Sequence, residues 1–248
     1  MAKKSGSLKT KRADVPAFWK ISKKDKRYVV RTEPGPHSKS NSYPLLVLLR
    51  DVLKVAKTNK VITQVLLDGK ISVDGKVVKS PRFPIGLMDV VEIPSISKAF
   101  RIVPYRGGLE AVEIDGSEKT LKLCMVKRKS TLRGSKVAYG LHDGRVITPQ
   151  GVKLGRGDSC TIKLPEQEFQ SSFELEKNSF ALLTNGEKSG EVVTIEDLKS
   201  GTFSRGAMAS VKHTDGTISE LSTEILMPLG KEIPQITVSR RKPQVDES

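Results

Sequence analysis

The sequence has few cysteines and no long hydrophobic run, and each shortage excludes a class of protein. Two cysteines, Cys124 and Cys160, are too few for a disulfide framework or a four-thiolate zinc site, so we expect a reduced, cytosolic protein. The longest apolar run, Leu45 to Leu49, falls far short of the roughly 18 residues that a membrane-spanning helix needs. The N-terminal segment is charged and lacks an apolar core, so we expect neither a secretory signal nor membrane association.

Side chains suited to catalysis are also scarce. With three histidines, the chain assembles no convincing triad or metal cluster. His142 and Asp143 are adjacent on an Asp-Gly turn, which favours local turn chemistry over a catalytic pair. Cys124 lies in an apolar run and is expected to be a buried structural thiol. The sequence contains no dinucleotide-binding glycine motif and no P-loop, so we predict a non-enzyme without catalytic residues, cofactor or metal.

Positive charge, by contrast, is abundant and unevenly placed. The 248 residues carry 43 Lys and Arg against 28 Asp and Glu, a net charge of +15. The net charge is +9 for residues 1–40, +5 for 41–105, +4 for 106–170 and −3 for 171–248. A basic arm followed by weakly basic domains favours a polyanionic partner, because cations near phosphates release condensed counterions. The alternative is a disordered tail that is merely well solvated.

Residues 1–42 are predicted to be a basic arm, of which residues 1–40 are expected to be disordered in the free protein and ordered on rRNA. Two prolines and a glycine, Pro34-Gly35-Pro36, close the segment because they cannot continue a helix. Phe18 and Trp19 either pin the arm to a neighbouring domain or stack on RNA bases, and the first reading is favoured. The basic side chains of the arm that we predict to bind RNA are Lys3, Lys4, Lys9, Lys11, Arg12, Lys20, Lys23, Lys24, Arg27 and Arg31.

Residues 43–94 show the clearest periodicity. Apolar residues recur at three- and four-residue spacing from Leu45 to Thr58, which predicts an amphipathic helix. A second helix, Val61 to Leu67, is predicted to be capped by Thr58 or Asn59 and ended by Asp68-Gly69. A hairpin around Asp74-Gly75 and a strand from Met88 to Ile93 follow. The predicted helical spacing puts three cations on one face with a fourth at its edge, and these are predicted RNA-binding residues: Arg50, Lys54, Lys57 and Lys60.

This order of elements resembles the S-four-type RNA-binding domain, a small αα-β module of ribosomal proteins, RNA-modifying enzymes and tyrosyl-tRNA synthetases. The matching pieces are Leu66 to Val73, the Asp74-Gly75 turn and the phrase from Phe83 to Val90. In that family the two helices present basic side chains to structured RNA. The resemblance therefore implies that the basic side chains of the first helix face RNA.

The rest of the chain resembles one ribosomal family. Met1 to Lys4, the Pro16/Trp19 spacing, Leu123 to Val126 and His142 to Arg145 are similar to segments of the small-subunit ribosomal protein family S-four-e of archaea and eukaryotes. We expect the archaeal form. The resemblance implies a structural constituent of the small ribosomal subunit in the cytoplasm. Its implied partners are small-subunit rRNA and neighbouring ribosomal proteins.

The second half of the chain is predicted to be β-rich. Residues 95–172 contain short β-prone runs and are expected to form a central β domain. Residues 173–230 resemble a KOW-type β-barrel, and residues 231–248 are expected to be a mobile tail. Gly190 is predicted to need a positive φ or a close approach, since it follows a turn. Because the barrel region is net acidic, contact with another protein competes with RNA contact as its role.

The predicted fold class is therefore α+β and multidomain: a basic arm, an αα-β module, a central β domain and a KOW-type barrel. An alternative function is the RNA-binding module of an RNA-modifying enzyme or an RNA chaperone. A weaker alternative is a KOW-type transcription factor, against which the basic arm and the full-length resemblance argue. Base specificity does not follow from this sequence.

Overall fold

The computed structural model describes residues 7–21, 27–134, 136–202, 205–231 and 236–238. Within these residues the fold is mostly β with few helices: three five-stranded antiparallel sheets and two two-stranded ones. Short 3-10 turns connect several strands, at Arg12–Asp14, Lys39–Asn41, Pro94–Ile96, Glu118–Thr120 and Thr223–Ile225. In the described part of the chain, no helix is long and apolar enough to span a bilayer.

The arm is folded in its described residues, and the expected disorder is wrong for them. Strands β1 (Lys9–Lys11) and β2 (Tyr28–Val30) pair antiparallel. Trp19 is buried in the core of the next module and donates its Nε1 hydrogen to the Ser42 carbonyl at 3.0 Å. The Tyr43 ring meets Phe18 edge-on at 5.0 Å and stacks on Trp19 at 6.1 Å. Aromatic burial of this kind anchors a segment that has few other core residues.

The first helix is shorter than its apolar pattern predicts. Strand β3 (Tyr43–Pro44) leads into α1 (Leu45–Val47), which continues as a π-helical turn over Leu48–Val52. The helix ends there because Lys54 adopts a left-handed φ of 53° and the Val55 N–H donates back to the Leu49 carbonyl at 2.9 Å. The bond spans six residues and closes the wide π-helical turn around a left-handed residue that is not glycine. The prediction of a helix reaching Thr58 is therefore wrong.

The second helix and the hairpin match the sequence expectation. Helix α2 (Asn59–Leu67) has Thr58 as its N-cap, which accepts a hydrogen bond from the Val61 N–H. Strands β4 (Ser72–Val73) and β5 (Lys76–Val77) flank a turn in which Asp74 and Gly75 have φ of 50° and 75°. Two positive φ values are what a type I′ turn requires.

The sheet of this module continues past residue 94. Strand β6 (Pro84–Ile85) pairs with β3, while β7 (Val90–Ile93), β8 (Lys98–Tyr105) and β9 (Gly108–Ile114) extend the hairpin in the order β5-β4-β7-β8-β9. The boundary predicted at residue 94 therefore falls inside one sheet. Its main apolar cluster includes Trp19 and Val29 of the arm, and Val90, Ala99 and Ile114 form a second, smaller one.

The central sheet follows directly. Its strands are β10 (Leu121–Thr131), β11 (Val137–Leu141), β12 (Val146–Ile147), β13 (Ser159–Lys163) and β14 (Glu168–Phe173), in the order β12-β11-β10-β13-β14. Strand β10 pairs with β13 through residues 121–125 and with β11 through residues 126–131. The inner half of β10 is buried and the outer half, Lys127 to Thr131, is exposed.

The C-terminal sheet is also antiparallel. Its strands are β15 (Phe180–Leu183), β16 (Val192–Lys199), β17 (Met208–Lys212), β18 (Ile218–Ser222) and β19 (Leu226–Gly230), in the order β18-β17-β16-β15-β19. Residues 236–238 return to the first sheet, where the buried guanidinium of Arg101 on β8 donates to the Thr237 carbonyl at 3.1 Å. The remainder of the predicted tail lies largely outside the described residues.

Gly190 has both features that the sequence predicts for it. Its φ is 89°, and a Cβ there would lie 2.3 Å from the Pro104 carbonyl oxygen of β8. The close approach therefore joins the C-terminal sheet to the first sheet, which a fragment holding residues 171–248 alone would lack.

Gly190→Ala in the full chain should lower the free energy of unfolding more than Gly186→Ala does. Both positions have a left-handed φ, but a Cβ at Gly186 meets no atom within 4 Å. Gly186→Ala should cost about 1–2 kcal/mol from backbone conformation alone. Urea unfolding of the two variants measures the difference, and equal costs would show that the approach to Pro104 adds nothing.

Trp19, the single tryptophan of the chain, reports directly on whether the arm is packed in the free protein. Because its ring is 4% exposed, its fluorescence should be blue-shifted and protected from acrylamide without RNA present. The urea-unfolded protein is the matched reference. Quenching in the native protein as strong as in urea would show that the free arm is detached.

Candidate nucleic-acid interface

The loop between the two helices presents three of the predicted RNA-binding lysines. Lys54, Lys57 and Lys60 are all exposed, Lys54 at the end of the first helix and Lys60 in the first turn of α2. In the described part of the chain, no carboxylate lies within ion-pair distance of any of the three. Lys54 lies at the end of the first helix, Lys57 in the loop and Lys60 at the start of α2, so the prediction that these cations share one helix face is wrong. Their exposure fits a role at the surface.

Arg50 makes internal bonds. Its guanidinium donates to both carboxylate oxygens of Asp51, at 2.9 and 2.7 Å, and to the Asn59 side-chain oxygen at 2.7 Å. The side chain is 12% exposed. Because Asn59 begins α2, Arg50 ties the end of the first helix to the start of the second and so positions the lysine loop between them.

The predicted cations of the arm divide into exposed and engaged groups. Lys9, Lys11 and Arg31 are exposed, and Arg27 is exposed with its guanidinium 5.6 Å from the Tyr28 ring centre. Arg12 donates to the Ile21 carbonyl at 2.7 Å, and Lys20 pairs with Glu110 at 2.8 Å. The predicted residues Lys3, Lys4, Lys23 and Lys24 lie outside the described residues.

A buried ion cluster joins the first sheet to the central sheet. The ammonium of Lys122, on β10, lies 2.7 Å from Asp74 Oδ2, 2.6 Å from Asp89 Oδ1 and 3.0 Å from Asp143 Oδ2. Arg145 adds a second cation, 2.6 Å from Asp74 Oδ2. The Lys122 side chain is fully buried, away from water. Its three ammonium hydrogens are matched in number by the three neighbouring carboxylates.

The cluster also holds the arm. His37 Nε2 lies 3.0 Å from Asp89 Oδ1, and a Cβ on Gly86 would lie 2.3 Å from the His37 ring. Only a glycine at 86 leaves room for this ring. The segment that follows the three-residue Pro34-Gly35-Pro36 stretch is therefore tied to the ion cluster.

Burial and pairing shift the pKa values of this cluster in opposite directions. Burial disfavours the charged form of Lys122, but Asp89 and Asp74 outweigh it and hold its pKa above the usual range. Burial likewise opposes ionisation of Asp89 and Asp143, but the Lys122 ammonium outweighs it and lowers both pKa values. Lys122, Asp89 and Asp143 are therefore ionised at neutral pH.

Cys124, His142 and Asp143 lie close together, and each is bonded within the protein. His142 Nδ1 accepts from the Met125 N–H at 3.2 Å and Nε2 lies 3.1 Å from the Leu87 carbonyl, which fixes the Nε2–H tautomer. Burial lowers the His142 pKa to about 4 and raises that of the Cys124 thiol. Both ring nitrogens of His142 and the Asp143 carboxylate are thus engaged within the protein.

Sequence reasoning missed this cluster because its partners are distant in the chain. Asp89 and Asp74 lie 33 and 48 positions from Lys122. The one local signal is a lysine in the middle of an apolar strand, between Leu121 and Leu123. A buried lysine must find carboxylates, so this signal predicts partners without naming them.

The helix pair on an antiparallel sheet, with exposed lysines between the helices, is the architecture of a small RNA-binding module. Comparison with protein-family models agrees: an S4 domain matches residues 44–91. An RS4NT (NUC023) domain matches residues 4–40 and the ribosomal family S4e matches residues 96–169.

Full-length relatives define the family. The chain is 33% identical to the small ribosomal subunit protein eS4 of Ignicoccus hospitalis over 93% of its own length and 94% of the relative. It is 36% identical to that of Methanothermobacter thermautotrophicus over 76% and 78%. The crystal structure of the 30S ribosomal protein S4e from Thermoplasma acidophilum superposes with a TM-score of 0.65 at 25% identity, covering 77% of this chain and 96% of that one. The chain belongs to the ribosomal protein family S4e.

Lys122→Met should destabilise the protein by about 3–5 kcal/mol at pH 7, because it removes the cation that three buried carboxylates share. In the native protein, Asp89 and Asp143 stabilise the fold above their unfolded pKa near 4 and lose this as the pH falls through their lowered folded values. Without Lys122, burial raises both pKa values, so the penalty should shrink as the pH falls through about 4.

Lys98→Met is the control, because its ion pair with Glu113 is half exposed and worth about 0–1 kcal/mol. Urea unfolding between pH 3 and 8 measures both variants. A Lys122→Met penalty that matched the control, or that stayed constant with pH, would contradict the buried-cluster account.

Proposed function

We propose that this chain is a structural constituent of the small ribosomal subunit that binds and stabilises small-subunit rRNA during assembly and translation. The observation that carries this is the full-length match to relatives named small ribosomal subunit protein eS4. Its partners are small-subunit rRNA and neighbouring ribosomal proteins, in the cytoplasm. The protein is a non-enzyme because its family is a structural one, and no observation favours an RNA-modifying enzyme or an RNA chaperone.

The lysine loop is proposed as a phosphate contact of the S4 module. Lys54, Lys57 and Lys60 are exposed, and their loop is held at both ends by the bonds of Arg50 and the Thr58 cap. A fixed loop pays little ordering entropy when it meets RNA. The exposed cations of the arm, Lys9, Lys11, Arg27 and Arg31, extend the same role to the N-terminal segment.

The finer domain assignments are part of the proposal. We assign the C-terminal five-stranded sheet to a KOW-type barrel. We assign the central sheet to a separate β-rich domain between that barrel and the S4 module. The net charge of −3 over residues 171–248 supports contact between the C-terminal part and another protein.

The full chain should co-sediment with the small subunit in magnesium and leave it only at high salt. The variant Lys54→Gln, Lys57→Gln, Lys60→Gln should leave at lower salt. If all three lysines contact phosphates, the slope of log K against log salt concentration should become shallower by about two to three, measured with a small-subunit rRNA fragment. The loss should be similar across RNA sequences, because phosphates carry no base information.

Glutamine substitutions at Lys76, Lys98 and Lys119, which are also exposed, remove the same charge elsewhere on the first module and its edge. An unchanged slope for the lysine-loop variant would show that this loop faces water. A chain that fails to bind the rRNA fragment or the subunit at all would overturn the proposed function itself.

A further inference from the structure

The outer half of strand β10 forms, with β11, a two-stranded ribbon at residues 127–134 and 136–140. Its register pairs Arg128 with Gly140 and Thr131 with Val137. The Leu132 N–H donates to the Lys136 carbonyl at 2.7 Å and closes the ribbon. From Val126 to Thr131 the strand rises roughly 16 Å, beyond the last residue that the core buries.

The ribbon has little support from the rest of the sheet. Strand β13 pairs with β10 only through Met125, and β12 pairs with β11 only at Tyr139 and Gly140. The residues from Lys127 to Gly134 are all exposed. The β11 half of the ribbon is anchored, because Ala138 and Tyr139 are buried, while the β10 half leaves a solvated strand edge open. Such an element is stabilised when it meets a partner.

Cations dominate the ribbon, and acidic residues are missing from it. Five basic residues, Lys127, Arg128, Lys129, Arg133 and Lys136, lie within ten positions. The sequence has no acidic residue from Lys119 to His142. A surface that merely confers solubility mixes charges of both signs, whereas this one carries a single sign.

Two of the five cations fasten the base of the ribbon. Lys127 donates to the Glu224 carbonyl at 3.2 Å, and Lys129 donates to the Leu154 carbonyl at 3.3 Å while lying 5.7 Å from the Tyr139 ring centre. Burial lowers the pKa of Lys127, which agrees with a role against the protein body.

The other three cations of the ribbon are available to bind a partner. Arg128, Arg133 and Lys136 are exposed, and no carboxylate of the described residues lies within ion-pair distance of them. The stem of Arg128 lies across Gly140, where an added Cβ would be 3.3 Å from Arg128 Cβ. Gly140 thus leaves room for the arginine stem beside its strand partner.

We propose that the β10–β11 ribbon is a second rRNA-binding element, which binds phosphates of an RNA duplex through Arg128, Arg133 and Lys136. The inference rests on the proposed function and adds a contact made by the central domain. Guanidinium groups bind phosphate oxygens in pairs, and ribbon hydroxyls at Ser130 and Thr131 are further donors. Leu132, 48% exposed, is the one large apolar side chain at the tip. So polar and positive a surface is typical of a nucleic-acid interface rather than of a protein–protein core.

The test is the variant Arg128→Gln, Arg133→Gln, Lys136→Gln in the full chain. Its affinity for a small-subunit rRNA fragment is measured by fluorescence anisotropy over a salt series. We expect the slope of log K against log salt to flatten by about two to three. Hydroxyl-radical footprinting should show loss of protection at one duplex segment while other protection persists. Thermal unfolding checks that the variant folds.

A matched control removes three charges from the C-terminal sheet: Lys177→Gln, Lys199→Gln and Lys212→Gln, all at exposed positions. The conservative variant Arg128→Lys, Arg133→Lys should keep the native slope, because it keeps the charges. If the control flattens the slope as much as the ribbon variant does, net charge alone explains the effect and the inference fails.

The remaining outcomes separate the inference from the proposed function. An unchanged slope for the ribbon variant, with a flattened slope for the lysine-loop variant, would overturn the inference and leave the function standing. An unchanged slope on naked rRNA with weaker retention in the subunit would assign the ribbon to a protein partner and also overturn it. Loss of all RNA binding by the unmodified chain would overturn the function as well.

Discussion

The ammonium of Lys122 is the constraint on which the arrangement of the first and central sheets depends. Its three carboxylate partners come from the β4–β5 turn, the turn before β7 and the β11–β12 turn. Removing a lysine from water costs several kcal/mol, and only complete pairing offsets that cost. The Lys122 ammonium can contact Asp74, Asp89 and Asp143 at the same time only when the two sheets lie in one position relative to each other. The cluster therefore selects that placement, although its net contribution to stability is small.

The same constraint fixes strand β10, which serves two roles along its length. Its first residue, Leu121, offers its carbonyl to the buried Arg101 guanidinium at 2.7 Å, and Lys122 anchors the next position. A register shift between Val126 and Arg128 then marks the passage from the buried half to the exposed ribbon. Because the inner half is held by charge pairs and apolar packing, the outer half leaves the protein in a defined direction.

Local chemistry explains which elements could be predicted. The Asp74-Gly75 turn, the Thr58 cap and Gly190 each depend on backbone preferences that a few adjacent residues determine. The end of the first helix at Val52 could not be predicted, because a lysine takes the left-handed position that glycine usually fills. Apolar periodicity continued past this point without marking it.

Long-range packing explains what the sequence concealed. The basic composition of the arm favours disorder, yet Trp19 and Phe18 against Tyr43, together with Val29 in the core, dock its described residues. Arg50 was predicted from its helical spacing, but its binding to Asp51 and Asn59 follows from the turn that brings α2 back. The sequence does carry a signal for the ribbon, namely the absence of acidic residues around it. Searching for basic residues on one face of a helix does not detect this signal.

Net charge overstates the charge that is available to RNA, because counterion release requires a solvated cation. Arg50, Arg101 and Lys122 are engaged within the fold, and none of them has a side chain more than 12% exposed. In the C-terminal part, three exposed cations are locally neutralised, because Lys177, Lys188 and Lys199 each pair with a carboxylate. The exposed cations without such partners among the described residues include Lys9 in the arm, Lys54 in the lysine loop and Arg128 in the ribbon.

These three groups belong to the arm, the first module and the central sheet, which Trp19, His37 and Lys122 fasten together. Groups held at fixed separations can meet an RNA only where its phosphates match that spacing. A folded RNA offers such a match and a flexible strand does so only at an entropic cost. The rigid joining of the sheets by buried charge thus favours structured rRNA over single strands, without any contact to a base edge.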